Sequence, residues 1–413
     1  MNARGVFTRR RFIAGAGGLV AAGVAAGVAI DQSASGSALP LADLPRPVSG
    51  LPLSQHAWAA TLTTDKYGNP TPPRFDRLLL FDVSGTPDPR YARLLEAELR
   101  KLEHAHPWSP KGLLFTAGWA PSYFEDVLNL PSPIPRAKAL AEFEQPTIDG
   151  YHLCLHLASD DPGVLGACER ALKPALAPAL RLRQTRTGFA GAGLPAAHQR
   201  VGGHHLQGIP SGNHVPRSAP LFMGFKSALK KNQATEDAVT IASGEFAQGT
   251  TMTVSHMTLS LDSWYQNLTY AQRVARMYSP QTTPEQVARF TTDAESNPGM
   301  LDQAIKHGVI GHAQASARAR RHGKPLILRR DFDTVDGGQA GLHFVSLQRT
   351  IEDFVTTRTA MNQANAQLQN PAITATVNNG INEFIFVLRR ANYILPSRAQ
   401  RSFPLLPGRE TLL

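Results

Sequence analysis

Apolar residues in this chain fall into two rhythms, and the change from one to the other marks the elements. Leu78-Leu79-Leu80-Phe81-Asp82-Val83 is a run of strand-forming side chains and predicts a buried strand. Between Asp88 and His104 the apolar positions Tyr91, Leu94, Leu95, Leu99 and Leu102 recur three and four apart with charges between them, so an amphipathic helix follows. Residues 112–119 and 151–157 predict two further strands. A second helix is expected over residues 163–172, opened by an Asp160-Asp161-Pro162 cap and stopped by Pro174. Residues 180–187 close the set as a strand.

The second half repeats the order with a long insertion. Residues 252–259 and 342–347 predict strands, residues 351–367 a helix and residues 383–387 a last strand. The insertion holds two helical segments, 284–295 and 301–307, followed by Gly308-Val309-Ile310-Gly311-His312-Ala313-Gln314 and, further on, by Leu326-Ile327-Leu328-Arg329-Arg330-Asp331-Phe332. Strand, helix, strand, strand, helix, strand is the split βαβ order of ferredoxin-like folds. The expected class is α+β of the dimeric α+β barrel type, with two ferredoxin-like halves, residues 53–195 and 196–413, whose antiparallel sheets are covered by helices.

The leading segment stands apart. Thr8-Arg9-Arg10-Arg11-Phe12-Ile13 precedes an uncharged run rich in Ala, Gly and Val that ends among small residues near Ala38. Adjacent arginines before a moderately hydrophobic stretch are the address read by the twin-arginine (Tat) translocase. Residues 1–38 are therefore read as an export signal and residues 39–52 as a Pro-rich linker, with an uncleaved membrane anchor as the alternative. The expected destination is the periplasm or the exterior.

A hydrophobic fraction of 42% against 18% charged residues describes an ordinary globular chain rather than a disordered one. The net charge is +10, and setting aside four arginines and one aspartate of the signal leaves +7. That balance favours an anionic ligand, but no basic block interleaved with aromatics marks a nucleic-acid groove. With Cys154 and Cys168 as the only cysteines there is no disulfide framework, and two buried thiols are expected rather than a bridge. His204, His205 and His214 lie among Gly and Pro without a helix-borne partner, and are read as solvated loop residues rather than as a metal site. Neither a G-x-S-x-G elbow, a G-x-G-x-x-G turn, a P-loop nor an H-E-x-x-H helix occurs. What survives is His312, followed by the arginine pair Arg329-Arg330; a histidine taken alone is more often a buried hydrogen-bonding residue than a ligand.

From about Leu53 to Pro396 the chain resembles the dye-decolourising peroxidases. The resemblance lies in Gln55-His56-Ala57, Phe81-Asp82-Val83, Thr187-Gly188-Phe189, Gly224-Phe225-Lys226, His312, Leu328-Arg329-Arg330, the run from Gly341 to Gln348, and Asn382-Glu383-Phe384. It implies haem b as cofactor, with His312 as the proximal ligand to iron and metal site. It implies Arg329 as the distal arginine, with Arg330 the alternative one position on, and Gly224 and Phe344 among the cofactor-binding residues. A fixed guanidinium stabilises the charge that builds on the departing oxygen of a peroxide. Hydrogen peroxide and a small-molecule or dye-like donor are the implied reactants, and a homo-oligomer is left open. Trp264, Tyr265 and Tyr270 are read as packing in preference to electron carriers.

The departure is at Gly224-Phe225-Lys226-Ser227-Ala228, where the family has Gly-x-x-Asp-Gly, so Ser227 stands in the place of the catalytic aspartate. A serine hydroxyl is a poor base at neutral pH. Glu236 and Asp237 are the candidates to replace the carboxylate, with Asp237 named as the site residue; a solvated turn is the competing reading. The acceptor that orients His312 is expected at Asn379 or Glu383. The alternative function is a haem or tetrapyrrole carrier, sensor or scavenger with little turnover.

Overall fold

The side chains that face inward sort the chain into strands and helices much as their rhythm predicts. The computed structural model describes residues 39–190, 221–225, 232–289, 301–362 and 370–413. Strand β1 (Phe75–Val83) leads to helix α1 (Pro89–Ala105), which Asp88 caps by accepting from the Arg90 N–H, and which turns Leu95, Leu99 and Leu102 inward. β2 (Leu114–Trp119), the two-residue β3 (Thr147–Ile148) and β4 (Leu153–Ser159) follow. Helix α2 (Pro162–Leu176) is capped by Asp161, and β5 (Leu180–Phe189) completes the first half.

Pro174 does not stop α2. It sits in the last turn, where a missing N–H bond costs little because few turns remain to be disrupted. The second half runs α3 (Glu236–Val239), β6 (Thr250–Leu259), α4 (Leu261–Gln266), α5 (Tyr270–Met277), α6 (Pro284–Arg289), α7 (Leu301–His307) and α8 (His312–Ala317). Two short strands, β7 (Leu328–Arg329) and β8 (Phe332–Thr334), precede β9 (Gly341–Gln348), α9 (Ile351–Asn362) and β10 (Ile385–Leu395). β10 runs well beyond the five residues expected of it, because Arg389, Arg390 and Asn392 continue the strand under polar side chains that find partners inside the protein.

Each half forms one sheet in the order expected of a ferredoxin-like unit, β2-β4-β1-β5 and β8-β9-β6-β10. Neighbours within these sheets are antiparallel, as in Leu79 opposite Leu155 and Ser255 opposite Phe344. The sheets meet at two seams of one residue pair each, Phe189 with Asp333 and Ile394 with Trp119, so eight strands close into a ring. The fold is thus the expected α+β arrangement, and residues 40–413 form one compact unit. One core packs α1 and α2 on the first sheet. A second gathers Phe189, Phe222, Phe225, Trp264, Ile381 and Phe384 on the second-half side. Cys154 and Cys168 are free and buried. Among the described residues no helix is long and apolar enough to cross a membrane.

Candidate active site

A large cavity lies in the second half, where α8, α9, β6, β9, β10 and the segment from Pro325 to Asp333 meet. Its space, with the open mouth included, is about 1430 Å³. Most of the wall is apolar: Met223, Phe225, Met257, Met277, Leu342 and Phe344 are typical. Into this wall project His312, five charged groups of the second half that sequence reading passed over, and Arg329.

His312 opens α8, directly after the N-cap Gly311. Two backbone approaches hold that turn. A Cβ on Gly311 would fall 1.8 Å from the Tyr278 carbonyl oxygen, and one on Gly380 would fall 2.9 Å from His312 Cα. Hydrogen bonds from Gly380 N to Ile310 O at 2.8 Å and from Ile310 N to Asn378 O at 3.0 Å stitch the two segments together. Burial, helped by the charges of Arg329 and Arg358, pushes the His312 imidazole down to about 3, so it is neutral with a lone pair available. Asn379 is buried and donates to Met361 O at 2.7 Å and Ala375 O at 3.0 Å, leaving its Oδ1 without a partner. Glu383 instead turns to Arg276 at 3.4 Å, with a half-exposed carboxylate, and is not brought to His312.

The arginine pair is divided by the strand. Successive side chains of an extended segment face opposite ways, and Arg329, Asp331 and Asp333 all line the cavity while Arg330, Phe332 and Thr334 do not. Arg330 lies with its guanidinium carbon 3.7 Å from the centroid of the Trp58 ring and donates to Glu236 Oε1 at 3.0 Å. Arg330 is therefore a packed structural cation and not a wall of the cavity. Glu236 is turned to that group and does not line the cavity, its Oε1 also accepting from Trp58 N at 2.7 Å and Ala59 N at 2.9 Å. Asp237 is exposed on α3 and does not line the cavity, because the first turn of α3 carries its side chain to solvent. Phe344 does line it, and Gly224 makes the turn between the lining residues Met223 and Phe225. Ser227, His204, His205 and His214 lie outside the described residues.

Arg358 and Arg390 share one buried carboxylate. Arg358 donates to Glu144 Oε1 at 2.7 Å and Arg390 to Glu144 Oε2 at 2.9 Å. Burial alone would raise the Glu144 carboxyl, but the two guanidinium groups hold it below its ordinary value. Two cations on one anion leave the wall positive, and Arg390 keeps a buried Nη2 without a partner. Arg320 adds a fourth cavity arginine, bonded to Asn232 Oδ1 at 3.0 Å. Of the two acids, Asp333 accepts from Phe222 N at 2.6 Å, and burial drives its carboxyl well above the usual range, so it holds a proton. The cavity is apolar in area and cationic in charge. Trp264 and Tyr265 are buried behind it, with Trp264 Nε1 donating to Met223 O at 3.0 Å and Tyr265 Oη to Phe222 O at 2.6 Å, while half-exposed Tyr270 stacks on Phe225.

Two closed ferredoxin-like halves with this cavity in the second define a protein of the dye-decolourising peroxidase fold. The Cellulomonas bogoriensis DyP-type peroxidase superposes with a TM-score of 0.56 at 19% identity, covering 83% of this chain and 97% of that one. The dye-decolorizing protein of V. cholerae gives 0.55 at 15%, covering 84% and 99%. A Rhodococcus jostii DypB variant in complex with haem gives 0.52 at 11%, covering 84% and 97%. By sequence, residues 73–397 match the family described as Family of unknown function (DUF7405), and the chain belongs to that family. A comparison with curated proteins finds no match.

Proposed function

We propose that this protein is an exported haem-dependent peroxidase, reducing hydrogen peroxide while oxidising a small organic donor. The observation that carries this reading is a neutral histidine, His312, on the wall of a cavity that is apolar over most of its area and positive in charge. A tetrapyrrole is a broad apolar plate with acidic side arms and one open metal valence. The residues present fit each part: Met257, Leu342, Phe344 and Ile381 for the plate, Arg320, Arg358 and Arg390 for the acidic arms, and His312 for the metal. Among the described residues no group of three or more His, Cys, Asp or Glu is arranged to hold a bare metal ion, so a single ligand to a metal already held by a macrocycle suits the site better.

When bound, haem supplies the electrons that break the peroxide O–O bond. The chain's own contribution is positional and electrostatic. His312 would hold the metal of the group, since its neutral imidazole can donate a lone pair without first losing a proton. Arg329 offers a cation to the oxygen that gains negative charge as the bond breaks, in a wall dry enough to strengthen that attraction. The apolar lining keeps bulk water from the reacting atoms. Export rests on Arg9, Arg10 and Arg11 before their apolar run.

The absorption spectrum of protein produced with ample haem tests the reading. A Soret band that is lost or altered in His312→Ala, together with peroxide-dependent oxidation of a dye, supports it; no band in the folded wild-type chain overturns it. Ser227 at the family's aspartate position favours a second reading, tetrapyrrole binding with little turnover, for which the band appears and the oxidation does not. Export is tested separately by replacing Arg9, Arg10 and Arg11 with lysine, which is expected to retain the protein in the cytoplasm.

A further inference from the structure

The strand that carries Arg329 carries more chemistry than the arginine. Alternation sends residues 329, 331 and 333 to the cavity, and two of the three are carboxylic acids. Asp331 is 8% exposed, and its Oδ1 is buried without a hydrogen-bond partner. Asp333 is 1% exposed; its Oδ2 accepts from Phe222 N, and its Oδ1 likewise has no partner. A buried carboxylate oxygen left unpaired is destabilising, and a catalytic role or a bound water or ligand is among the few things that account for one. Burial, against the opposing hydrogen bond from Phe222 N and with the Asp331 charge adding to it, pushes the Asp333 carboxyl well above its ordinary range, so two acids of unlike surroundings share the wall that holds Arg329.

The geometry points to Asp331 as the acid–base residue of this cavity. The carboxylate lacking at Ser227 is supplied by the arginine's own strand. This rests on the peroxidase reading above. In that reaction one hydrogen peroxide, with two electrons and two protons from two donor molecules, becomes two waters. Asp331 takes the proton from one peroxide oxygen and returns it to the other, the O–O bond breaks, and the protonated oxygen leaves as the first water. No net proton is gained or lost by the aspartate.

The test uses the full haem-loaded chain and measures two rates: the reaction with a single equivalent of peroxide, and the association of hydrogen cyanide with the resting protein. The second needs a base to accept the proton of the incoming acid and involves no turnover. Asp331→Asn is expected to slow both by roughly 10²- to 10⁴-fold with haem content unchanged, and Asp331→Glu to recover part of each rate. Wild-type rates in Asp331→Asn, or equal slowing by Asn and Glu, overturn the assignment. So does an Asp331→Asn protein that folds but takes up no haem, which would make the residue part of the binding wall. A wild-type chain without a Soret band overturns the site reading itself, a result distinguishable from all of these.

Discussion

Arg329 and Arg330 are adjacent and chemically identical, yet the pleat gives them unrelated work. Arg330 is held between the Trp58 ring and the Glu236 carboxylate, with little of it exposed. Its loss leaves a largely buried carboxylate uncompensated, so Arg330→Ala is expected to cost about 3–5 kcal/mol in urea unfolding. Arg329→Ala is expected to leave the unfolding midpoint near that of the wild type and to abolish rapid reaction with peroxide. The histidines make a second prediction. Burial pushes His56 and His256 down to about 3, from an ordinary value near 6.5. Between those limits the unfolded chain binds protons that the folded chain refuses, so stability is full above pH 6.5 and is lost as pH falls toward 3. Denaturation midpoints measured across that window should fall steadily, with a shallower slope in His56→Asn. His312 and Arg329 could be read from the sequence because motif order marks them. Asp331 was quoted in its run without notice, although the same alternation that separates the arginines places it in the cavity. Arg358 and Arg390 had no local signal at all, since only the fold brings Glu144 to them.

At the level of elements, the start of α8 is the tightest construction in the site. His312 is aimed by a turn clamped between the Tyr278 carbonyl and Gly380, which has a positive φ of 56°. A side chain on Gly380 would meet both a strained backbone and the His312 Cα. Gly380→Ala is expected to cost at least about 1–3 kcal/mol and to weaken haem retention, read by transfer of haem to an apoprotein acceptor. Sequence periodicity found β1, α1, β2, β6 and β9 because their apolar faces are unbroken. It ended β10 too soon because Arg389, Arg390 and Asn392 look like a surface turn until Asp149, Glu144 and Thr253 are placed beside them. Helices α4, α5 and α8 are too short for a helical rhythm to declare itself.

At the scale of the whole molecule, charge inside the protein fastens the C-terminal segment to the first half. Arg401 is buried and bonds to both Glu96 and Glu103 of α1, and Arg398 also pairs with Glu103. Both glutamates would be left buried beside a neutral side chain in Arg401→Ala, which is expected to lose about 3–5 kcal/mol and to lower the thermal midpoint without altering the cavity. The two-halved architecture was legible because each half repeats the order of strands and helices, and closure of the halves into a barrel was part of the same expectation; the residues that make the seams, Phe189 with Asp333 and Ile394 with Trp119, carried no signal of their own. That closure has a consequence for biosynthesis. β10 is the outer strand of the second sheet, paired along its length with β6, and it also forms the seam through Ile394 to Trp119. The ring therefore stays open until residue 395 has cleared the ribosome, and the nascent chain meanwhile carries unpaired strand edges that invite chaperones.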